Sequence, residues 1–126
     1  MQARLSYKFE DSMLFLKVGG EYSIKEVIQL VRKAMNNAGS PERFPVLIDA
    51  RLSEVTHNLD DLELISKEFS KLREKIICTA VVVQSDLHFG LARQLSVYDE
   101  FDGRETEAFR EMEPALAWVK EKMQGQ

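Results

Sequence analysis

The chain is predicted to fold as an α/β domain on a single five-stranded mixed sheet, with elements in the order ββαβαβαβα. Three observations predict it. The first nine residues alternate polar and apolar side chains, and a polar turn then leads into a second strand-like run, Met13–Val18. Two later runs, Pro45–Asp49 and Ile76–Val83, are apolar on both faces. The segments between and after them carry apolar residues at helical spacing.

At the N-terminus, Leu5, Tyr7 and Phe9 alternate with Arg4, Ser6 and Lys8, the period of a half-buried strand. Glu10-Asp11-Ser12 forms a polar turn, and Met13–Val18 is the returning strand of a hairpin, broken by Gly19-Gly20. Ser23 and Glu26 form a capping box for a first helix, whose apolar stripe is Ile24, Val27, Ile28, Val31 and Met35. Asn36–Pro41 stops it.

Pro45–Asp49 reads as a central parallel strand, and Arg51–Asn58 as a loop. Leu62, Ile65, Phe69 and Leu72 mark a second helix from Asn58 to Arg73. Its acids lie early and its lysines late, which suits the helix dipole on a solvated face. Ile76–Val83 is the most strand-like stretch. Ser85 or Asp86 caps a third helix with the stripe Leu87, Leu91, Leu95, Tyr98 and Phe101, ended by Gly103. Thr106–Arg110 is a short polar edge strand. Pro114 sits in the first turn of a last helix, with the stripe Met112, Ala115, Leu116, Val119 and Met123. Strands alternating with helices after the hairpin imply a mostly parallel sheet, taken here in sequential strand order.

Residues 1–126 fit one domain, and 44% apolar with 30% charged residues is ordinary for a globular chain. A net charge of −4 gives no electrostatic reason to expect a nucleic-acid partner. No segment has the pattern of a signal peptide or a membrane span, and the lone Cys78 excludes an intrachain disulfide, so a cytoplasmic location is expected. Cys78 lies in the apolar run Ile76–Val83, where a thiol is a small core filler rather than a nucleophile.

His57 and His88 fall in separate loop and cap regions without further ligands at metal spacing, so they read as surface side chains and no metal is expected. Ser53, Thr56 and Ser85 belong to no nucleophile elbow, and Gly19-Gly20 belongs to no phosphate loop, so no cofactor is expected. One candidate site remains, at the carboxyl ends of the parallel strands, where ligands gather. Asp49 and Arg51 follow the third strand, and Ser85, Asp86 and His88 follow the fourth. On helical wheels Phe89 and Leu64 point away from their core stripes, which makes them interface or ligand-contact candidates.

Pro45–Arg51 (PVLIDAR), Ala80–Arg93 (AVVVQSDLHFGLAR) and Ala108–Val119 (AFREMEPALAWV) together resemble the SpoIIAA-like proteins of the STAS superfamily. The resemblance runs along nearly the whole chain, and Phe89–Arg93 and Ala117-Trp118 are its most specific parts. It implies a βα superhelix and a non-enzymatic role. The first expectation is a protein-interaction or regulatory module, and the alternative is a carrier of a small nonpolar, lipid-like ligand. Anti-sigma-factor antagonists of that superfamily carry an Asp-Ser-Ser-Gly-like motif with a phosphorylated serine. This sequence instead has Arg51–Asp60 (RLSEVTHNLD), so Ser53 and Thr56 are not expected to be its equivalents.

A homodimer is also expected. The consecutive apolar residues of the third and fourth strands require both sheet faces to leave water. Three crossover helices on one face leave only a short last helix for the other.

Overall fold

The computed structural model describes residues 2–38 and 43–125. Five strands, β1 (Arg4–Glu10), β2 (Met13–Gly20), β3 (Phe44–Ser53), β4 (Ile76–Val82) and β5 (Thr106–Phe109), form one sheet in the order β1-β2-β3-β4-β5. β1 is antiparallel to β2 and every later pairing is parallel. Four helices complete the chain: α1 (Ile24–Ala38), α2 (Leu59–Ser70), α3 (Asp86–Phe101) and α4 (Met112–Gln124). The predicted architecture and strand order therefore hold.

The hairpin turn is Asp11-Ser12, and both residues have positive φ, 53° and 62°. A two-residue turn with positive φ at both positions matches the right-handed twist of its strands, but L-residues are strained there. Ser12→Gly is accordingly expected to raise stability by roughly 0.5–1 kcal/mol in urea unfolding. No gain would mean that the serine hydroxyl offsets the strain.

β2 continues through Gly19 and Gly20 instead of breaking there, and the two glycines pair with Leu52 and Ser53. Between Lys17/Asp49 and Gly19/Leu52, β3 carries one extra residue, a bulge that turns Leu52 toward the Gly19 side. A Cβ on Gly19 would meet Leu52 Cβ at 3.2 Å, so this close approach favours glycine. β3 thus consumes Arg51–Ser53, which the sequence pattern assigns to a loop. α2 stops at Ser70, before the predicted Arg73, and the chain turns through Lys71–Lys75. α1 runs on through Asn36-Asn37-Ala38, and the remaining part of its expected stop, Gly39–Pro41, lies outside the described residues.

The pleat sorts the core into two clusters. Leu14, Leu16, Val18, Val46, Ile48 and Val81 face α1, α2 and α3 through Val27, Val31, Leu62, Ile65, Phe69, Ala92 and Leu95. Met13, Leu47, Cys78, Ala80 and Val82 face α4 through Ala115 and Val119. The capping box of α1 forms as expected: Ser23 Oγ accepts from the Glu26 N–H, and Glu26 accepts from the Ser23 N–H. A second box, Asn58 with Asp61, starts α2, and Ser85, not Asp86, caps α3 by accepting from the His88 N–H at 3.1 Å.

Two expectations need correction. Leu87 and Phe101 are not core residues of α3, being 57% and 88% exposed. The buried face is Ala92, Leu95 and Asp99, because α3 packs on α2 and β5 as well as the sheet and turns a carboxylate inward. The second correction concerns the sheet face shared with α4. Helices cover the apolar parts of both faces, and Leu47 and Val82 are fully buried within one chain. Beyond α4 this face carries Ser6, Lys8, Lys17 and Asp49 around the half-buried Phe15, with Lys8 Nζ 5.3 Å from the Phe15 ring centre. The lysine stem screens that ring from water. The bare apolar sheet that motivated a homodimer is therefore absent among the described residues.

Candidate functional site

The loops beyond the carboxyl ends of β2, β3 and β4 meet the first turns of α1, α2 and α3, and a cavity of about 100 Å³ lies between them. Its walls are aliphatic: Val18, Ile48, Ala50 and Val81 from the sheet, and Val27, Ile65, Ala92 and Leu95 from the helices. Parallel strands put such a space here because each crossover must leave its strand, and the helix it feeds begins above the sheet edge.

Polar atoms come only from the outer end. Tyr22, in the loop after β2, is buried, and its hydroxyl is 2.8 Å from Ser53 Oγ at the end of β3. The Val55 N–H also donates to Ser53 Oγ, at 3.4 Å. Burial pushes the Tyr22 phenol above its ordinary pKa, so it stays a hydroxyl. His57 stacks at a tilt on Tyr22, ring centres 5.4 Å apart, and its Nδ1 is 3.6 Å from the Asp61 carboxylate. Burial lowers the His57 pKa, with Asp61 opposing and His88 adding to the shift, so the imidazole is neutral at neutral pH. His88, in the first turn of α3, lines the same cavity.

The two histidines are thus not separate surface residues. Their spacing in sequence, 31 positions, hid a convergence that only the crossover of α2 and β4 produces. Sequence reasoning likewise missed Tyr22. Its position just before a helix cap at the end of a strand was the available signal.

The predicted cluster of Asp49, Arg51, Asp86 and His88 is divided. Asp49 and Arg51 lie on the α4 side of the sheet and hold each other in a two-bond pair, Nε–Oδ1 and Nη2–Oδ2 both at 2.9 Å. Burial raises the Asp49 pKa, but the Arg51 hydrogen bonds outweigh it and hold the carboxyl below its usual value. Asp86 pairs with Arg110 in solvent. Only His88 reaches the cavity.

Phe89 is half-buried against the main core, with the Arg110 guanidinium 5.7 Å from its ring centre, and it does not line the cavity. Leu64 is 49% exposed on α2, away from the cavity. Cys78 is buried under α4, and its thiol is pushed up to about 11 by desolvation, which suits a core filler. Among the described residues no cluster of His, Cys, Asp and Glu could hold a metal ion, and no helix is long and apolar enough to cross a membrane.

No protein-family profile matches the chain, and no curated protein does either. Among solved structures, the chain is similar to an uncharacterised protein of the DUF3478 family from Shewanella loihica PV-4, described as having a SpoIIAA-like fold. The TM-score is 0.55 and the identity 21%, over 93% of each chain. The sheet order, the helix placement and this likeness agree with the resemblance carried by the three sequence segments: the chain has the SpoIIAA-like fold.

Proposed function

We propose that the protein binds a small, mostly apolar molecule and does not transform it. The observation that carries this reading is the aliphatic cavity at the carboxyl edge of the sheet. At about 100 Å³ it is far below the roughly 300–1,000 Å³ of sites for drug-sized ligands. It is nearer the ~150 Å³ dry cavity that accepts benzene. It therefore suits one ring or a short alkyl group, either a whole molecule or the apolar end of a larger one. Nucleophilic catalysis has little footing, because the Ser53 hydroxyl is hydrogen-bonded to the Tyr22 hydroxyl and, among the described residues, no imidazole is hydrogen-bonded to it.

Titration with benzene, followed by methyl ¹H–¹³C shifts of Val18, Ile48, Val81 and Leu95, tests the reading. Saturable shifts confined to these methyls are expected, with Kd on the order of 1 mM or tighter, as six heavy atoms permit. Ala92→Leu should fill the space and abolish the shifts. A wild-type protein that shows no saturable shift would defeat the proposal.

The regulatory-module reading is favoured by a different observation. Leu52, Leu59 and Leu87 are 52%, 56% and 57% exposed, and all three stand at this same end of the sheet. A protein partner seated there would lie beside the cavity. The benzene result separates the two readings, because a pure docking surface has no use for an accessible interior space.

A further inference from the structure

The two edges of the sheet are unlike. β5 has four residues, too few for much pairing, whereas β1 has seven, joined to β2 along its whole inner side in one unbroken register. Among the described residues no backbone hydrogen bond reaches the outer side of β1. The strand also lacks a proline and a bulge, two of the devices that blunt an edge against another strand. Its remaining defence is charge, on Arg4, Lys8 and Glu10, and the order of those charges admits one strand in particular.

That strand is β1 itself. A two-fold axis normal to the sheet keeps the faces of two copies matched, so the axis must pass beside one residue of β1. Beside Tyr7, the midpoint, all seven residues find partners. Arg4 then stands opposite the second copy's Glu10 at both ends, Ser6 opposite Lys8, and Leu5 opposite Phe9. Neighbouring registers fail. An axis beside Ser6 sets Arg4 against the second copy's Lys8, and one beside Lys8 sets two lysines together, and like charges directly opposite destabilise a pair. An axis beside Leu5 or Phe9 leaves only three of the seven residues paired.

The side chains are placed for the Tyr7 register. Arg4 is exposed, and among the described residues it has no ion-pair partner in its own chain. Glu10 is exposed on the same face, with Lys8 Nζ 2.7 Å from its Oε2. On the other face Leu5 and Tyr7 are half-buried against the core, while Phe9 is 39% exposed, so an opposing Leu5 would cover part of its ring.

We propose that β1 pairs antiparallel with β1 of a second copy, centred on Tyr7, and so joins two sheets into one. This interface is independent of the cavity, and it lies at the sheet edge, not on the sheet face from which the sequence pattern predicts a homodimer.

Sedimentation equilibrium of the full chain, with charge variants and single cysteines, tests the pairing. One strand edge is a small interface, so a dimer with Kd on the order of 10 µM is expected. Arg4→Glu should weaken it roughly tenfold by opposing like charges at both ends, and adding Glu10→Arg should restore it. Both residues are exposed, so neither change should disturb the fold. Under mild oxidation Tyr7→Cys should form an intersubunit disulfide, since directly opposite Cα atoms lie about 5 Å apart. Ser6→Cys should not, because its two copies would stand about 8 Å apart. A monomer at every concentration would overturn the proposal. So would a dimer that neither responds to Arg4→Glu nor crosslinks through Tyr7→Cys. Crosslinking through Ser6→Cys instead would overturn the Tyr7 register.

Discussion

Asp99→Ala is expected to destabilise the fold by roughly 3–5 kcal/mol, the range for removing one partner of a buried ion pair. Asp99 is 2% exposed. Its Oδ1 accepts from the Ser66 hydroxyl at 2.5 Å and its Oδ2 from the Thr106 hydroxyl at 2.6 Å. Arg104 Nη2 stands 2.9 Å from Oδ1 and also donates to the Ser66 carbonyl oxygen. One carboxylate thereby ties α2, α3 and the start of β5 together. Alanine would leave a nearly buried guanidinium and two hydroxyls without their acceptor, while Asp102, 2.8 Å from Arg104 Nε, would hold only the other side of the arginine. Asp99→Asn should cost less, since an amide oxygen still accepts. Arg104→Met made on top of Asp99→Ala should recover part of the loss, and guanidinium unfolding of the wild type, the two single variants Asp99→Ala and Arg104→Met, and the double variant gives the coupling directly. A loss under 1 kcal/mol for Asp99→Ala would show that water replaces the carboxylate.

Leu47→Ala is the second large effect, expected at roughly 2–5 kcal/mol. Leu47 is fully buried at the centre of β3, on the face that α4 covers. Its neighbours across that layer include Ala115 and Val119, which are small and already in contact, so α4 cannot refill the space without moving as a whole. The loss should therefore lie in the upper half of the range. It should also speed amide exchange in α4 more than in α1, because α1 belongs to the other cluster. Uniform exchange across both helices would show that the two layers unfold as one.

The ion pairs around these layers follow the same division of labour. Glu68, buried on α2, takes both Nε and Nη2 of Arg32 at 2.9 and 3.1 Å, which ties α1 to α2. The Arg32 hydrogen bond holds its carboxyl below the usual glutamate value. A depressed carboxylate contributes its stability above the unfolded-state pKa, and that contribution is lost as pH falls through the lower folded value.

The elements and the faces they bury are written in local sequence pattern. Alternation in Arg4–Phe9 marks β1, the double-sided apolar runs mark β3 and β4 as central, and Ser23 with Glu26 marks the start of α1. These signals are local, since side-chain period and capping depend on residues within a turn or a pleat. Sequential strand order also followed, because short connections place successive parallel strands side by side.

Which polar residues meet is a property of the assembled fold. Asp99 lies in a helix at a position that reads as surface, and its burial depends on Ser66, Arg104 and Thr106 arriving from other elements. Asp49 and Arg51 stand close to His88 in a list of strand ends, yet the pleat sends them to the opposite face. Tyr22, Ser53, His57 and His88 share one cavity although they come from four separate segments. Convergence of this kind is set by how crossovers stack helices over a twisted sheet. No periodicity within a single segment encodes it.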